Sequence, residues 1–312
     1  MDPDALRTFL AIQRSGGFTR AARRLHLSQP AISRRIAMLE HEAGAPLFER
    51  IAGGVVLSEA GRVLLPRAER ALAALEDCAE AMRSLKGGAA GTISLALVGT
   101  LANEELAAVL AKFSRRHPGV ALTLRTATSV EVSDLVRRGE ATLGVRYLRD
   151  ASPEIACEAL PPERLVVCCA PEHRLAGGRV RSLSELADET WLAFPNPRDD
   201  REATAGNLLA AFLARGVGSL RWMPVDSLTA QKRLLEAGFG LALLPRNSIL
   251  EEAARGSLAT ISTLDYRAEN PVFAITRRGG YASPAARDLL ALLAARPARA
   301  AGRIARRARV RR

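Results

Sequence analysis

The sequence has few of the side chains that build metal sites or redox centres. It contains four cysteines, Cys78, Cys157, Cys168 and Cys169, and none of them forms a CxxC pair. Its four histidines are scattered, so the ligand spacing of a zinc site is missing. We therefore expect no metal site and no cofactor. Cys168 and Cys169 lie in the strand-like run RLVVCCAP, where buried thiols act as small hydrophobic side chains; a redox switch is the alternative.

Long apolar runs are also absent. No stretch approaches the roughly 18–20 apolar residues of a membrane span, and the start MDPDALRTFL lacks the basic and apolar regions of a signal peptide. We expect a soluble, cytoplasmic protein with no membrane partner. Its 312 residues and 48% hydrophobic content suffice for two or three domains, each with its own core.

Lysine is scarce, since only three of the 45 basic residues are lysine and the others are arginine. The formal net charge is +12, but the tail 296–312 supplies eight of these charges, which leaves +4 for the rest. Overall basicity is therefore weak support for nucleic-acid binding. The tail has too few apolar residues for a core, so we expect it to be disordered or transiently helical and to raise nonspecific DNA affinity.

Catalytic motifs are missing as well. The sequence shows no Ser-His-Asp set, no pair of carboxylates and no glycine-rich phosphate loop. We expect that the protein is not an enzyme.

The first 58 residues predict short helices followed by a hairpin. In DALRTFLAIQRSGG the apolar side chains fall on one stripe, and Gly16-Gly17 end the helix. FTRAARRLH predicts a second short helix, and SQPAISRRIAMLE predicts a third. LFERIAGGVVL alternates around Gly53-Gly54, which predicts a β-hairpin.

The third of these helices has an acid-free polar face. At 100° per residue its buried stripe consists of Ile32, Ile36 and Leu39. Its outward face carries Gln29, Pro30, Ser33, Arg34 and Ala37. Gln29 suits adenine edges, and Arg34 suits guanine or phosphate. This pattern predicts a helix-turn-helix that enters the major groove, with a solvated amphipathic helix as the alternative.

Residues 59–88 predict one long helix with a heptad seam. The seam consists of Leu65, Ala68, Leu72, Leu75, Ala79 and Met82. About 25 residues span ~38 Å, which is longer than a small domain needs, so we interpret the segment as a dimerisation helix. The alternative is a helix packed on its own domain. Pro66 is expected to kink the helix or to mark a restarted first turn.

Strands and helices alternate from residue 89 to residue 295, which predicts an α/β domain with a mostly parallel sheet. LPPER (160–164) and LDYRAENP (264–271) are interpreted as two chain crossings between subdomains. Subdomain I would then comprise about 91–161 and 268–295, and subdomain II about 162–267. This arrangement predicts a hinged cleft between them.

The run FLAIQRSGGFTRAARRLHLSQPAISRRIAMLEHEAGAPLFER, followed by LSEAGRVLL, closely resembles the N-terminal winged helix of LysR-type transcriptional regulators. The later segments resemble that family's linker helix and its effector domain, which is similar to type 2 periplasmic binding proteins with two α/β subdomains. The resemblance implies a winged helix-turn-helix in residues 1–58, a linker and dimerisation helix in 59–88 and an effector-binding domain in 89–295. It does not extend to the tail 296–312.

The resemblance also implies which residues touch DNA. Base-side contacts would come from Gln29, Pro30, Ser33 and Arg34. Arg35 would contact the backbone, and Arg50 leads into the wing. Two departures from the family's pattern are present. The wing IAGGVVL has no basic residue at its tip, which weakens minor-groove contact, and Thr142 replaces the usual acidic residue before the third effector-domain strand.

In that family the effector lies between the two subdomains. The strand-to-helix turns expected to face this cleft supply the candidate effector residues Thr100, Thr128, Ser129, Arg146, Phe194, Asn196 and Ser227. Thr128 and Ser129 would offer hydroxyl and backbone N–H groups to a carboxylate, and Arg146 its charge-assisted partner. A salt bridge is the alternative for Arg146, and ordinary turn chemistry for Thr100, Thr128 and Asn196.

These features predict a sequence-specific DNA-binding transcriptional regulator whose DNA binding or activation responds to a small anionic metabolite. The alternative is a DNA-binding dimer without a small-molecule ligand, gated by cysteine oxidation or not gated at all. The expected partners are double-stranded promoter DNA, a carboxylate effector, a second copy in a homodimer, a homotetramer of such dimers, and RNA polymerase.

Overall fold

The computed structural model describes residues 1–52, 54–85, 91–194 and 204–295. The predictions made for Asn196 and for the tail 296–312 concern residues outside these ranges.

Three helices and a hairpin form the N-terminal unit: α1 (Pro3–Ser15), α2 (Phe18–Leu25), α3 (Gln29–Ala43), β1 (Phe48–Ile51) and β2 (Gly54–Leu57). Gly16 ends α1 at φ 66°, in the left-handed region that favours glycine. Ser28 caps α3 by accepting the N–H of Ala31. The predicted stripe of α3 is buried and packs with Phe9 of α1 in one core. The predicted winged helix-turn-helix is therefore confirmed.

The long helix α4 (Glu59–Leu85) contains 27 residues and includes Pro66. Because the helix begins at Glu59, Pro66 lies inside it, and the prediction of a restarted first turn is wrong. A proline inside a helix removes one backbone hydrogen bond, at a cost of about 3 kcal/mol or more, yet α4 continues through it to Leu85.

The predicted seam of α4 divides into two parts. Ala68 and Leu72 are buried in the core of the winged helix, so they are not free to meet a second copy. Leu75 and Met82 are 44% and 59% exposed. The seam prediction is corrected accordingly: the first half of the stripe completes the chain's own core, and only the second half faces outward. Periodicity identifies an apolar stripe without identifying its partner.

After α4, the described residues form ten strands and six α-helices. The strands are β3 (Gly91–Val98), β4 (Val120–Ala127), β5 (Leu143–Tyr147), β6 (Ile155–Cys169), β7 (Arg179–Val180), β8 (Thr190–Ala193), β9 (Arg221–Pro224), β10 (Leu241–Pro245), β11 (Ala259–Thr263) and β12 (Ala268–Arg277). The helices are α5 (Glu104–Arg116), α6 (Ser129–Arg137), α7 (Thr204–Leu213), α8 (Leu228–Glu236), α9 (Leu250–Arg255) and α10 (Pro284–Ala294).

One sheet runs through both subdomains in the order β4-β3-β5-β12-β6-β10-β8-β9, and β11 pairs with β6 and β7. β3 pairs in parallel with β4, and β8 pairs in parallel with β9. β6 and β12 pair antiparallel with each other; β6 also pairs antiparallel with β10, and β12 with β5. The sheet is therefore mixed rather than mostly parallel. Each subdomain has its own apolar core, one around Phe113 and Leu95 and the other around Trp191 and Phe212.

Both segments interpreted as chain crossings reach into paired strands: residues 160–164 lie inside β6, and residues 268–271 form the start of β12. The ladder between these strands shifts register between the pairs Leu160–Val272 and Glu163–Asn270. Pro161 and Pro162 therefore face Pro271 in a bulge, where their missing N–H groups break no ladder hydrogen bond. The prolines mark the crossing without ending the strands.

The long helix α4 packs against subdomain I. Arg277 of β12 donates to Asp77 at 2.7 Å. A Cβ at Gly139 would lie 2.9 Å from the Cβ of Ala73, so this approach requires glycine. Arg14 of α1 also pairs with Glu140 at 2.7 Å. These contacts hold the DNA-binding unit against subdomain I.

None of the helices in the described part of the chain combines the length and the apolar character that crossing a membrane requires.

Candidate nucleic-acid interface and effector cleft

The predicted base-side residues share one exposed surface of α3. Gln29, Pro30, Ser33 and Arg34 are all exposed, because the opposite stripe of the helix is buried. Proline at the N-terminus of α3 leaves the helix intact, since its N–H would have no intrahelical partner there. The surface thus offers an amide, a hydroxyl and a guanidinium to one groove, which suits base edges and phosphates.

The two remaining candidates lie beside this surface. Arg35 is half-buried, and its Nη2 lies 3.8 Å from Oδ2 of Asp4 on α1. Arg50 is exposed on β1 of the hairpin. Sequence reasoning missed Thr19 of α2, whose hydroxyl donates to Oε1 of Gln29 at 3.5 Å. Only the packing of α2 against α3 reveals this contact, so no sequence signal could have found it.

A cavity of about 1120 Å³ lies between the two effector subdomains. Its lining combines residues that follow β3 and β4 in subdomain I with residues of α8, β10 and α9 in subdomain II. Thr100, Thr128 and Phe194 line this cavity as predicted. Ser227 is the exposed cap of α8 and accepts the N–H of Ala230 at 3.4 Å, while its neighbours Asp226 and Leu228 line the cavity.

Arg146 does not face the cleft, which corrects the expectation from the sequence. Its side chain is buried, Nη1 lies 2.7 Å from Oδ2 of Asp150, and the same atom donates to Oγ of Ser133 at 2.7 Å. Successive strand residues point to opposite faces. Arg146 therefore shares its face with Gly144, which lies against α6, and Tyr147 takes the cleft side.

The pKa of Asp150 reflects this pairing. Burial by itself would raise the pKa, but hydrogen bonds from Ser133 and Ser152 and the charge of Arg146 outweigh it. The pKa falls from 3.8 to about 2. The Asp150 carboxyl is therefore ionised at neutral pH, and its pair with Arg146 belongs to the interior of subdomain I.

Ser129 is also directed away from the cleft. It is buried, and its Oγ accepts the N–H of Tyr147 at 3.2 Å. This hydrogen bond ties the start of α6 to the end of β5. The expected hydroxyl pair is therefore reduced to Thr128 alone.

The N-terminus of α6 is occupied by the protein's own carboxylate. Oε2 of Glu131 accepts the N–H of Thr128 at 2.9 Å and its hydroxyl at 3.0 Å. Thr128 in turn accepts the N–H of Glu131, which completes a capping box. Glu131 thus takes up the N–H and hydroxyl of Thr128, which the sequence assigned to an effector carboxylate.

A buried glutamate joins the cleft to the chain crossing. Glu163 of β6 accepts from the Tyr147 hydroxyl at 2.5 Å and from the Asn103 amide at 3.2 Å. The Tyr147 oxygen also lies 2.8 Å from the Thr100 hydroxyl. Thr100, Asn103 and Tyr147 line the cavity. The strand LGVRY is buried on both sides, so its pattern did not single out Tyr147, and no sequence signal pointed to Glu163.

On the opposite wall, Lys232 of α8 pairs with Glu252 of α9. Nζ of Lys232 lies 2.6 Å from Oε1 of Glu252, and it donates to the carbonyl of Ser248 at 3.1 Å. Both side chains line the cavity. Lys232 is the only cationic side chain among the described lining residues.

The cysteines show no arrangement for metal or disulfide chemistry within the described ranges. No cluster of three or more His, Cys, Asp or Glu side chains suited to a metal occurs there. Burial raises the pKa of the Cys168 thiol, and it raises the pKa of Cys169 to about 11. Since the thiolate is the reactive form, both thiols are protonated and unreactive at neutral pH. Cys78 is exposed on α4.

Two family models match the chain. Residues 3–62 match the bacterial regulatory helix-turn-helix protein of the lysR family, and residues 86–298 match the LysR substrate binding domain. Together they cover most of the sequence; the first ends at residue 62, near the start of α4, and the second begins at residue 86, directly after this helix.

Named relatives match over nearly the full length. The RuBisCO operon transcriptional regulator of Allochromatium vinosum is 32% identical over 90% of this chain and 91% of its own. The HTH-type transcriptional regulator TfdS of Cupriavidus pinatubonensis is 31% identical over 86% and 89%. The crystal structure of full-length CbnR complexed with its target DNA is 26% identical, has a TM-score of 0.64 and covers 94% of this chain and 99% of that one.

Proposed function

We propose a function for each part of the chain. The chain belongs to the LysR family, so it is a DNA-binding transcriptional regulator with an effector-binding domain and not an enzyme. The exposed face of α3 reads promoter DNA, the outer half of α4 pairs two copies, and a small molecule in the cleft changes DNA binding or activation. The observation that carries the proposal is the cavity of about 1120 Å³ lined from both subdomains.

The DNA contacts are assigned by exposure and chemistry. Gln29, Pro30, Ser33 and Arg34 meet base edges, since they are the outward residues of a helix whose other side is fixed in the core. Arg35 and Arg50 flank this face and serve the sugar-phosphate backbone. The arginine tail adds sequence-independent attraction.

Pairing through α4 is supported by its uncovered apolar residues. Ala71, Leu75, Cys78 and Met82 recur at spacings of four, three and four residues and are all exposed. A seam of this kind gains stability only when a second helix covers it. A homodimer presents two copies of α3 to one operator. Two such dimers form a tetramer, and the protein contacts RNA polymerase at the promoter.

Effector binding would act through closure of the cleft. Subdomain II is tied to subdomain I by β6 and β12, while the DNA-binding unit rests on subdomain I. A ligand that contacts both walls favours the closed arrangement in proportion to the contacts it gains there. Closure would then change the relative placement of the paired DNA-binding units.

A dimer gated by cysteine oxidation receives less support. Cys168 and Cys169 are buried and have raised pKa values, which lowers the fraction of reactive thiolate. Cys78 is exposed and lies in the outer seam of α4, so it is the thiol that oxidation would reach first. Loss of DNA binding upon mild oxidation, restored in Cys78→Ser, would favour this alternative.

The proposal is tested with the full chain. Genomic fragments captured by the protein should be enriched for specific promoters, and equal capture of random DNA would contradict it. A metabolite panel should then contain a compound that raises the Tm and shifts the Kd for the captured promoter.

A cavity-filling variant locates the ligand. Gly99 lines the cavity, and a Cβ there would meet no atom within 4 Å, so Gly99→Trp fills the cleft without a clash at the backbone. Gly99→Trp should abolish the rise in Tm that the active compound causes in the wild-type chain. Gly218→Trp is the matched control, because a Cβ there also meets no atom within 4 Å. If no compound stabilises the wild-type chain, the alternative without a ligand is favoured.

A further inference from the structure

The contact between the long helix α4 and subdomain I contains one charge that its surroundings compensate poorly. Four ionisable side chains meet there: Glu69 of α4, Arg14 of α1, and Arg138 and Glu140 of subdomain I. We propose that the charge of Glu69 opposes the packing of the DNA-binding unit on subdomain I and so keeps this contact able to open. The structural part of the proposal involves neither ligand nor DNA, whereas its consequence for regulation rests on the proposed function.

Two arginines are shared unequally between the two glutamates. Nη2 of Arg14 lies 2.7 Å from Oε1 of Glu140 but 3.9 Å from Oε1 of Glu69. Nε of Arg138 lies 3.4 Å from Oε1 of Glu140 and also 3.9 Å from Oε1 of Glu69. Arg125 approaches the other oxygen of Glu140, at 3.5 Å. Glu140 is therefore the acid that these cations neutralise, and Glu69 is left at the outer limit of an ion pair.

The carboxylate of Glu69 is also poorly solvated. Its side chain is 15% exposed, and it accepts no hydrogen bond from any residue in the described ranges. Burial raises the pKa of the Glu69 carboxyl. The charges of Arg138 and Arg14 lower this pKa, but not to its usual value. The ionised form of Glu69 is therefore less favourable here than in the unfolded chain, which lowers the stability of the folded arrangement.

Two donors at the same contact lack acceptors. Nε of Arg138 and Nε of Arg277 are buried and have no hydrogen-bond acceptor among the described residues. Arg277 reaches α4 through its Nη2, which donates to Asp77 at 2.7 Å. A buried donor without an acceptor lowers stability. Glu69 is therefore not an isolated case, because several polar groups between α4 and subdomain I are left unsatisfied.

Other groups hold the contact together against this charge. The close approach of Gly139 to Ala73 packs α4 on the turn after α6, and Nη1 of Arg70 lies 2.7 Å from Oε1 of Glu154. Glu69 lowers the stability that these groups provide. Closure of the cleft then needs less free energy to displace the DNA-binding unit, and a ligand can supply only the free energy by which it distinguishes the two arrangements.

Glu69→Gln removes the charge and keeps the shape of the side chain. It should raise the Tm of the free chain by about 2 °C, because a buried and poorly compensated charge is lost. It should also slow hydrogen exchange at residues 138–141. Glu76→Gln removes a charge from an exposed position on the same helix and should change neither readout. A Tm of Glu69→Gln at or below the wild-type value would overturn the proposal.

The background Glu140→Gln separates the charge effect from a packing effect of the new amide. Without the charge of Glu140, both Arg14 and Arg138 are available to neutralise Glu69. Glu69→Gln should therefore no longer raise the Tm in this background. A packing effect would be the same in both backgrounds, so the double-mutant cycle distinguishes the two explanations. An equal rise in Tm with and without Glu140 would overturn the proposal.

The consequence for regulation is measured on promoter DNA with the stabilising compound of the metabolite panel. Glu69→Gln should reduce the factor by which this compound changes promoter affinity by about twofold or more, since a more stable contact resists displacement. An unchanged factor together with a raised Tm would overturn the regulatory part of the proposal. If the panel contains no stabilising compound, ligand control as proposed above fails, and the Tm and hydrogen exchange of the free chain still decide whether Glu69 opposes the contact.

Discussion

Nη1 of Arg146 lies 2.7 Å from Oδ2 of Asp150, and the arginine side chain is 9% exposed. The pair therefore stabilises subdomain I and does not bind the effector. Arg146→Ala leaves Asp150 without its cation, so the free energy of unfolding should fall by roughly 3 kcal/mol, while affinity for the cleft ligand changes less than about twofold. Urea unfolding and ligand titration measure the two effects. Arg149→Ala, an exposed neighbour, is the control. A loss of ligand affinity without a loss of stability would show that Arg146 contacts the ligand in the cleft.

The same pair predicts a pH dependence. The pKa of Asp150 is about 2 in the folded chain and 3.8 when unperturbed. A lowered folded-state pKa contributes stability that is fully present above 3.8 and is lost as pH falls towards 2. Asp150→Asn should therefore reduce the slope of the unfolding free energy in this window. Denaturant unfolding between pH 5 and pH 2 measures it, and identical slopes for both proteins would exclude the pairing.

Arg146 also shows where sequence reasoning stops. The sequence pattern placed Arg146 in a turn after a strand, whereas Arg146 lies inside β5, which ends at Tyr147. The strand LGVRY is buried on both sides, so it lacks the polar alternation that tells which residue faces the cleft. The sequence therefore assigned the charge of Arg146 to the wrong face. By contrast, α3 has one buried and one exposed side, and its helical period predicted both correctly.

Other differences between the sequence-based predictions and the structure have the same physical origin. The heptad period of α4 located an apolar stripe, but the winged helix needed part of that stripe to close its core around Leu72. The prolines 161, 162 and 271 lie in the two segments interpreted as chain crossings, and a bulge accommodates them within paired strands. The sequence pattern did not indicate Glu163, because its partners Asn103 and Tyr147 are distant in sequence. Local patterns predict elements; long-range packing decides what those elements meet.

Arg34 should distinguish an operator from random DNA. Its side chain lies on the outward face of α3, and a bidentate contact to a base edge is worth about 1–3 kcal/mol of discrimination. Arg34→Ala should lose this amount on a captured promoter and less on random DNA, as measured by fluorescence anisotropy at fixed salt. Arg115→Ala, an exposed arginine on α5, is the control. Equal losses on both DNAs would make Arg34 a phosphate contact.

The outer seam of α4 should hold the dimer. Leu75 and Met82 are 44% and 59% exposed, and aspartate at both positions would place charge in an apolar interface. Leu75→Asp with Met82→Asp should shift the chain towards the monomer in sedimentation equilibrium and weaken operator binding. Phe239→Asp with Leu264→Asp changes two similarly exposed apolar residues and should preserve the dimer. If the seam variant sediments like wild type, the copies associate elsewhere.

Glu163 should couple the cleft to the chain crossing. It lies on β6 beside the bulge, and it accepts from Tyr147 and Asn103, both of which line the cavity. A ligand that moves these two residues therefore moves the crossing strand with them. Coupling between two sites is measured as the factor by which one ligand changes the affinity for the other, and such factors correspond to about 1–3 kcal/mol.

Glu163→Gln keeps the size of the side chain and one accepting oxygen, but it removes the charge that Tyr147 and Asn103 share. It should reduce the factor by which the cleft ligand changes promoter affinity by about fivefold or more, whereas ligand affinity itself changes less. Anisotropy titrations of promoter DNA with and without ligand give this factor. Arg164→Ala, an exposed neighbour on the same strand, should retain it. If Glu163→Gln lowered ligand affinity while the factor stayed at its wild-type value, Glu163 would belong to the binding site and would play no part in transmission. A purely structural role would instead lower the Tm and leave both titrations unchanged.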